Sequence, residues 1–239
     1  MSLTESGFAC VDHIPPFTQA TRRPRARRQP HLAALTAGSA GRARAERFIG
    51  DNFQASYGAR LTHFMPIICS LQQEDAIKAA LGLRAARCTS LFVEQYLQQP
   101  AEVVIGQHYP GPVSRSSVWE MGNLAASDGR VAVMLYLLVT AALHRLGVDY
   151  LVFAANAAVR QSIRRRGFTT RTVCNADPLR LGSAASDWGS YYDSDPQVLV
   201  ASIPEALDHG QTEDWVRDLW AGEEAQIARL AVQLSRFDR

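Results

Sequence analysis

The sequence predicts an α+β domain in which helices flank a mixed, mostly antiparallel sheet. Two apolar runs, "THFMPIICSLQ" (62–72) and "AIKAALGLRAA" (76–86), are separated by "QED", the pattern of a β-hairpin. "SVWEMGNLAAS" (117–127) and "DYLVFAAN" (149–156) read as strands on either side of a long helix over 129–147. A strand–helix–strand unit of this kind makes a parallel crossover. Further strands are expected at "FTTRTV" (168–173) and "DPQVLVASI" (195–203).

The remaining elements follow in order. Residues 1–45 are rich in Pro, Gly, Arg and small side chains, without apolar period, and are expected to be disordered. The ordered domain is expected over 46–204. It begins with a helix in which Phe48, Ile49, Phe53 and Tyr57 recur at helical spacing before Gly58. Gly82, inside the second hairpin strand, marks a bulge or a close backbone approach. "SLFVEQYL" (90–97) reads as a short helix and "AAVRQSIRRRG" (157–167) as a longer one. Residues 205–239 form an amphipathic helical extension, drawn as one helix over 212–237 with Thr212 as N-cap. Its stripe is Val216, Trp220, Ile227, Leu230 and Leu234.

Charge is unevenly spread over the 239 residues. The first 47 hold eight arginines against Glu5, Asp12 and Glu46, a net +5, which leaves −3 for the rest of the +2 chain. The cluster Arg22, Arg23, Arg25, Arg27 and Arg28 is read as a solvated tail, with no nucleic-acid partner expected. Cys10, Cys69, Cys88 and Cys174 show neither CxxC spacing nor paired histidines. Reduced thiols, no metal site and a cytoplasmic location are expected. The longest apolar run, Val131 to Leu143, reaches about 20 Å as a helix, short of the roughly 30 Å of a bilayer core.

Glu120 stands out because it is a carboxylate within a strand of buried type, between Trp119 and Met121. Buried charges are paired, neutralised or functional. One reading pairs Glu120 with Arg84; the other makes it a base.

The order of elements, together with "DYLVFAANAAVRQSIRRRGF", resembles the GNAT acyltransferase superfamily. That superfamily places an Asn after the fifth strand and ends the next helix in Gly-Phe; here these are Asn156, Gly167 and Phe168. The acyl-homoserine-lactone synthases are similar through Trp119-Glu120 and through Arg84. The blocks "ERFIGDNFQASYGARLTHFMP", "AALGLRAA", "LFVEQYL", "VWEMGNLA" and "WGSYYDSDPQVLVA" resemble the thermostable hemolysin family, from about Arg47 to Ile203. The resemblance implies a sheet with splayed central strands and an acyl-pantetheine donor in the gap, with no permanently bound cofactor. It implies an N-acyltransferase that moves an acyl group from acyl carrier protein, or from acyl-CoA, to a small amine or amino acid. The family name points instead to a lytic, membrane-perturbing protein, and a catalytically inactive binding module is the third reading.

On the acyltransferase reading Glu120 takes the proton of the incoming amine. The N–H groups near Asn123 and Leu124 polarise the thioester, and Asn156 holds pantetheine amides or caps the next helix. Arg84, His63, Trp119 and Tyr191 are acceptor-side candidates. Arg160 and Arg164, with their neighbours, form a basic patch suited to an acidic carrier protein or to the helix C-terminus alone. The sequence departs from the superfamily at three points. "AASDGR" replaces the Gly-rich pyrophosphate loop, Ile163 stands where a general-acid Tyr is usual, and "SYGARLTHFMP" lacks the paired acids that hold S-adenosylmethionine. Tyr192 or Tyr191 is the candidate for the missing acid, and a lactone synthase using S-adenosylmethionine is not expected.

Overall fold

The computed structural model describes residues 30–237. The Arg22–Arg28 cluster and Cys10 lie outside the described residues. Strands β1 (His31–Leu35), β2 (Ile67–Gln73), β3 (Ala76–Ala85), β4 (Val118–Ala126), β5 (Tyr150–Ala155), β6 (Arg171–Asn175) and β7 (Gln197–Ser202) form one sheet. Its order is β1-β2-β3-β4-β5-β7-β6. Every neighbouring pair is antiparallel except β4 and β5, which are parallel. This is the expected mixed, mostly antiparallel sheet.

The β2–β3 hairpin turns at Glu74, which adopts φ 56°, between Gln73 and its partner Ala76. Helix α3 (Gly129–His144) connects β4 to β5. It starts where Asp128 Oδ1 accepts the N–H groups of Arg130 and Val131 at 2.9 and 3.0 Å. It is apolar on nearly all sides because it packs on the sheet with one face and on the C-terminal helices with another. Helix α1 (Arg42–Tyr57) lies on the opposite face, burying Ala45, Ile49 and Phe53. Helix α2 (Ala101–Gly106) and α4 (Ala157–Arg165) complete the flanks.

Three expectations are corrected. A strand forms at His31–Leu35, within the segment read as irregular. It is an edge strand whose outward N–H groups are met by side chains: Leu32 N donates to Gln226 Oε1 at 2.7 Å and Ala34 N to Gln233 Oε1 at 3.1 Å. Those glutamines are nearly 200 residues away in sequence. The C-terminal extension is also not one helix. It is α5 (Ile203–Thr212), α6 (Asp214–Gly222) and α7 (Glu224–Leu234). Ser202 caps α5 and Pro204 sits in its first turn. Thr212 therefore ends a helix rather than starting one, its hydroxyl donating to His209 O. Finally, β2 begins at Ile67, not at 62. Pro66 offers no N–H to a ladder. The carbonyls of Met65 and Pro66 are taken by the Arg42 guanidinium at 2.7 and 2.9 Å, which also holds Leu35 O at 3.1 Å.

Gly82 makes the close approach its position in a strand suggested. It pairs with Gly122 across β3 and β4, and a Cβ there would lie 2.5 Å from Met65 Cβ; at Gly122 it would lie 2.7 Å from Met65 Cε. The 61–66 loop crosses the sheet over this glycine pair. Gly82→Ala should lower stability by about 1–3 kcal/mol through overpacking, read as a lower denaturation midpoint at unchanged m. Gln226→Leu should lower it by about 1–3 kcal/mol, because the buried Leu32 N–H loses its acceptor. Loss of less than about 0.5 kcal/mol in urea titration would refute that account of the edge.

Candidate active site

Strands β4 and β5 pair at Val118–Tyr150, Trp119–Leu151 and Glu120–Val152, and then stop. β4 continues to Ala126 with a bulge. Two steps along β3, from Ala80 to Gly82, oppose three along β4, from Ala125 to Gly122. Asn123 takes φ 52° there, a conformation that Asn tolerates better than most residues. The extra residue turns β4 away from β5. Asn123 and Leu124 fall outside the register with β3, and β5 has already left on the other side.

A cavity of about 430 Å³ fills the gap and passes from one face of the sheet to the other. Its walls come from Met121–Leu124 on β4 and from Phe153–Asn156 at the end of β5. The α1 side is aromatic. Phe53, Tyr57, Phe92, Trp188 and Tyr191 form a continuous set of ring contacts, with centroids 5.2–6.4 Å apart. The segment that brings Trp188 and Tyr191 is tied to the end of α1: Ser190 N donates to Tyr57 O at 2.8 Å and Arg60 N to Asp187 O at 2.7 Å. Gly189 is required there, because a Cβ would fall 2.0 Å from Tyr57 O.

Glu120 lies where the two strands separate and lines the cavity, yet is only 1 % exposed. It faces Arg84 directly across the ladder. Its Oε2 accepts Phe92 N at 2.7 Å and its Oε1 accepts Val93 N at 2.9 Å, so the carboxylate caps the short 3-10 turn Phe92–Gln95. Arg84 Nη1 stands 4.0 Å from Oε2 and donates to Ser90 O at 3.1 Å, while Arg84 Nε has no partner. Burial pushes the Glu120 carboxyl up to about 7; the Phe92 N–H, the Arg84 charge and the Val93 N–H hold it from rising further. The pairing with Arg84 is thus real, and it coexists with a carboxyl poised near neutrality.

The turn that Glu120 caps is itself anchored. Arg115 binds Glu94 at 2.7 Å and Glu102 at 2.6 Å, and Glu94 accepts the N–H groups of Leu91 and Ala101. Burial raises the Glu94 carboxyl, but Arg115 and those N–H groups outweigh it and hold it at about 2.

Of the residues singled out from sequence, Glu120, Asn123, Leu124, Asn156, Arg84, His63 and Tyr191 line the cavity. Asn123 Oδ1 accepts Met65 N at 3.1 Å. Asn156 caps α4 through Val159 N at 2.9 Å and donates to Tyr57 Oη at 2.9 Å, so both ends of its amide are engaged. Trp119, Tyr192, Arg160 and Arg164 do not line the cavity. Trp119 is fully buried against α3 on the opposite face from Glu120, as alternation along a strand dictates. The Tyr192 hydroxyl is 2.6 Å from Tyr96 Oη. Arg160 binds the carboxylate and carbonyl of Asp195, whereas Arg164 is exposed on the last turn of α4. Among the described residues, no group of three or more His, Cys, Asp or Glu is placed to hold a metal ion.

Tyr136 was not singled out from sequence. It projects from α3 into the cavity, which Ile163 also lines, and its hydroxyl is buried without a hydrogen-bond partner. Burial raises it to about 12, so it is protonated at neutral pH. Within the run "VAVMLYLLVTAAL" it reads as one more apolar helix position, and only the register of α3 on the sheet aims it inward.

Among solved structures, the chain is similar to FeeM, an N-acyl amino acid synthase from uncultured soil microbes. Identity is 13 %, the match covers 79 % of this chain and 98 % of that one, and the TM-score is 0.54. It is also similar to BjaI, a CoA-dependent acyl-homoserine lactone synthase, in its structure with MTA. There identity is 12 %, coverage is 79 % and 88 %, and the TM-score is 0.52. At these identities the likeness concerns the fold, a GNAT-like sheet. No curated protein matches the chain. The sequence profile of thermostable hemolysin matches residues 35–207, most of the chain, and the chain therefore belongs to the thermostable hemolysin family.

Proposed function

We propose that this chain is an N-acyltransferase that moves an acyl group from a pantetheine thioester to a small amine or amino acid. One observation carries the reading: a buried carboxylate raised to about 7 forms the wall of a cavity opened by the separation of β4 and β5. A thioester in that gap has the N–H groups of the β4 bulge, near Asn123 and Leu124, within the strand that borders it. Such donors stabilise the developing oxyanion. The amine approaches from the aromatic side, where Glu120 lies. Its nitrogen bonds to the thioester carbon, Glu120 takes the proton that the nitrogen loses, and the carbon–sulfur bond breaks. The departing thiolate needs a proton, and the Tyr136 hydroxyl is a donor on the cavity wall that nothing else occupies. Tyr191 remains a second candidate on the aromatic side. Tyr192, engaged with Tyr96, supports that wall.

Carrier-bound pantetheine fits better than free CoA. A CoA pyrophosphate needs free N–H groups at the start of α3. Those of Arg130 and Val131 are already held by Asp128, whose carboxylate repels a phosphate. Arg164 and Arg165, exposed at the end of α4, supply the complementary charge for an acidic carrier.

The test is release of thiol from acyl carrier protein and from acyl-CoA in the presence of a panel of amines and amino acids. Amine-dependent release is expected; none with either donor would overturn the reading. Glu120→Gln should lower kcat by about 10²–10⁴. The wild-type rate should rise with pH to a plateau above about 7 as the base deprotonates. The same carboxyl has a stability signature. Its folded value lies above its unfolded one, so the unfolded state binds fewer protons between about 4.5 and 7. Its contribution is complete below 4.5 and is lost as pH rises through 7, and Glu120→Gln should abolish that part of the slope. Tyr136→Phe, which removes one oxygen, should lower kcat by about 10² with little change in KM. A change in KM alone would assign Tyr136 to binding instead.

A further inference from the structure

On the α3 side of the sheet the cavity changes character. It runs beside α3 from Gly129 to Thr140, eleven helical steps or about 16 Å. Beyond Tyr136 its walls include Leu137, Thr140, Leu151, Ser202, Ile203 and Ala206, none of them charged, and the buried Trp220 of α6 lines it as well. The indole is not free to swing. Its Nε1 donates to Leu137 O at 3.2 Å, and its outer edge rests on Gly210, where a Cβ would lie only 2.2 Å from the ring. Trp220 is 7 % exposed and belongs to the main core. An uncharged, mostly apolar stretch beyond a carboxylate and an orphan hydroxyl suits a hydrocarbon chain better than a hydrated group.

We propose that Trp220 is the floor of the acyl-chain pocket and sets the upper limit of chain length. This rests on the acyltransferase reading for the identity of the ligand. The limiting residue comes from outside the family-matched part, which ends at residue 207. Chain-length preference is therefore a property that the C-terminal helices add to the domain.

The experiment is calorimetric binding of a ladder of straight-chain acyl-pantetheines to the full chain, with thiol release in amine measured in parallel. In the wild type, affinity should rise about fourfold per methylene, the equivalent of burying one CH₂, and then break off at one length. Trp220→Ala should move the break to longer chains, and Trp220→Phe, which keeps a smaller ring, by less. Ala206→Leu, which fills the pocket beside the indole, should move it to shorter chains and decides the matter if Trp220→Ala does not fold. A break at the same length in all folded variants overturns the proposal, whether or not turnover occurs. Shifted breaks without amine-dependent thiol release sustain it while overturning the transfer reaction. No binding at any length overturns both.

Discussion

The structure depends on β4 being unable to stay paired with both of its neighbours. As far as Glu120 it is bonded to β3 on one side and β5 on the other. Past that point the bulge at Asn123 keeps β4 with β3 and releases β5. The glycine pair Gly82 and Gly122 lets Met65 press on the ladder from the α1 face, and the Met65 N–H is held by Asn123 Oδ1. Backbone conformation, glycine placement and one side-chain hydrogen bond thus combine to open a sheet that would otherwise close over its own core. An open, apolar gap of this kind exposes backbone polar groups that a ligand can meet, and the candidate site follows from it.

The carboxylate at the apex of the gap shows how one residue serves two ends. Glu120 caps the Phe92–Gln95 turn with both oxygens and faces Arg84 across the ladder, which is a structural part. Removal from water raises its proton affinity, which is a chemical property. The hydrogen bonds keep the carboxylate in place and limit the rise in its proton affinity. Arg115, joined to Glu94 and Glu102, fixes the turn that supplies those N–H groups, so the poise of Glu120 depends on a network centred away from the cavity.

The C-terminal helices do more than cover the sheet. Gln226 and Gln233 of α7 satisfy the edge strand β1, whose bare N–H groups would otherwise invite another chain. Trp220 of α6 lines the cavity on the other face. The edge of the sheet is therefore completed by contacts between the first and last described segments. No helix among the described residues is long and apolar enough to cross a membrane.

Local chemistry made much of this legible in the sequence. The β2–β3 hairpin, the β4–α3–β5 unit, an irregularity at Gly82 and a buried, partnered Glu120 follow from periodicity, turn residues and the expense of burying a charge. Those signals act over a few residues, and a sequence displays them directly. Four features were decided by tertiary structure alone: the strand at His31–Leu35, the division of the last helix into α6 and α7 with α5 ahead of it, the inward aim of Tyr136, and the fully buried, off-cavity position of Trp119. Each depends on partners far away along the chain or on which face of an element meets the sheet. The five residues His31–Leu35 become a strand because β2 pairs with one side of them, and glutamines nearly 200 residues later accept the N–H groups of the other. A tyrosine in an apolar helix becomes a cavity group only when the register of that helix turns its hydroxyl toward the gap.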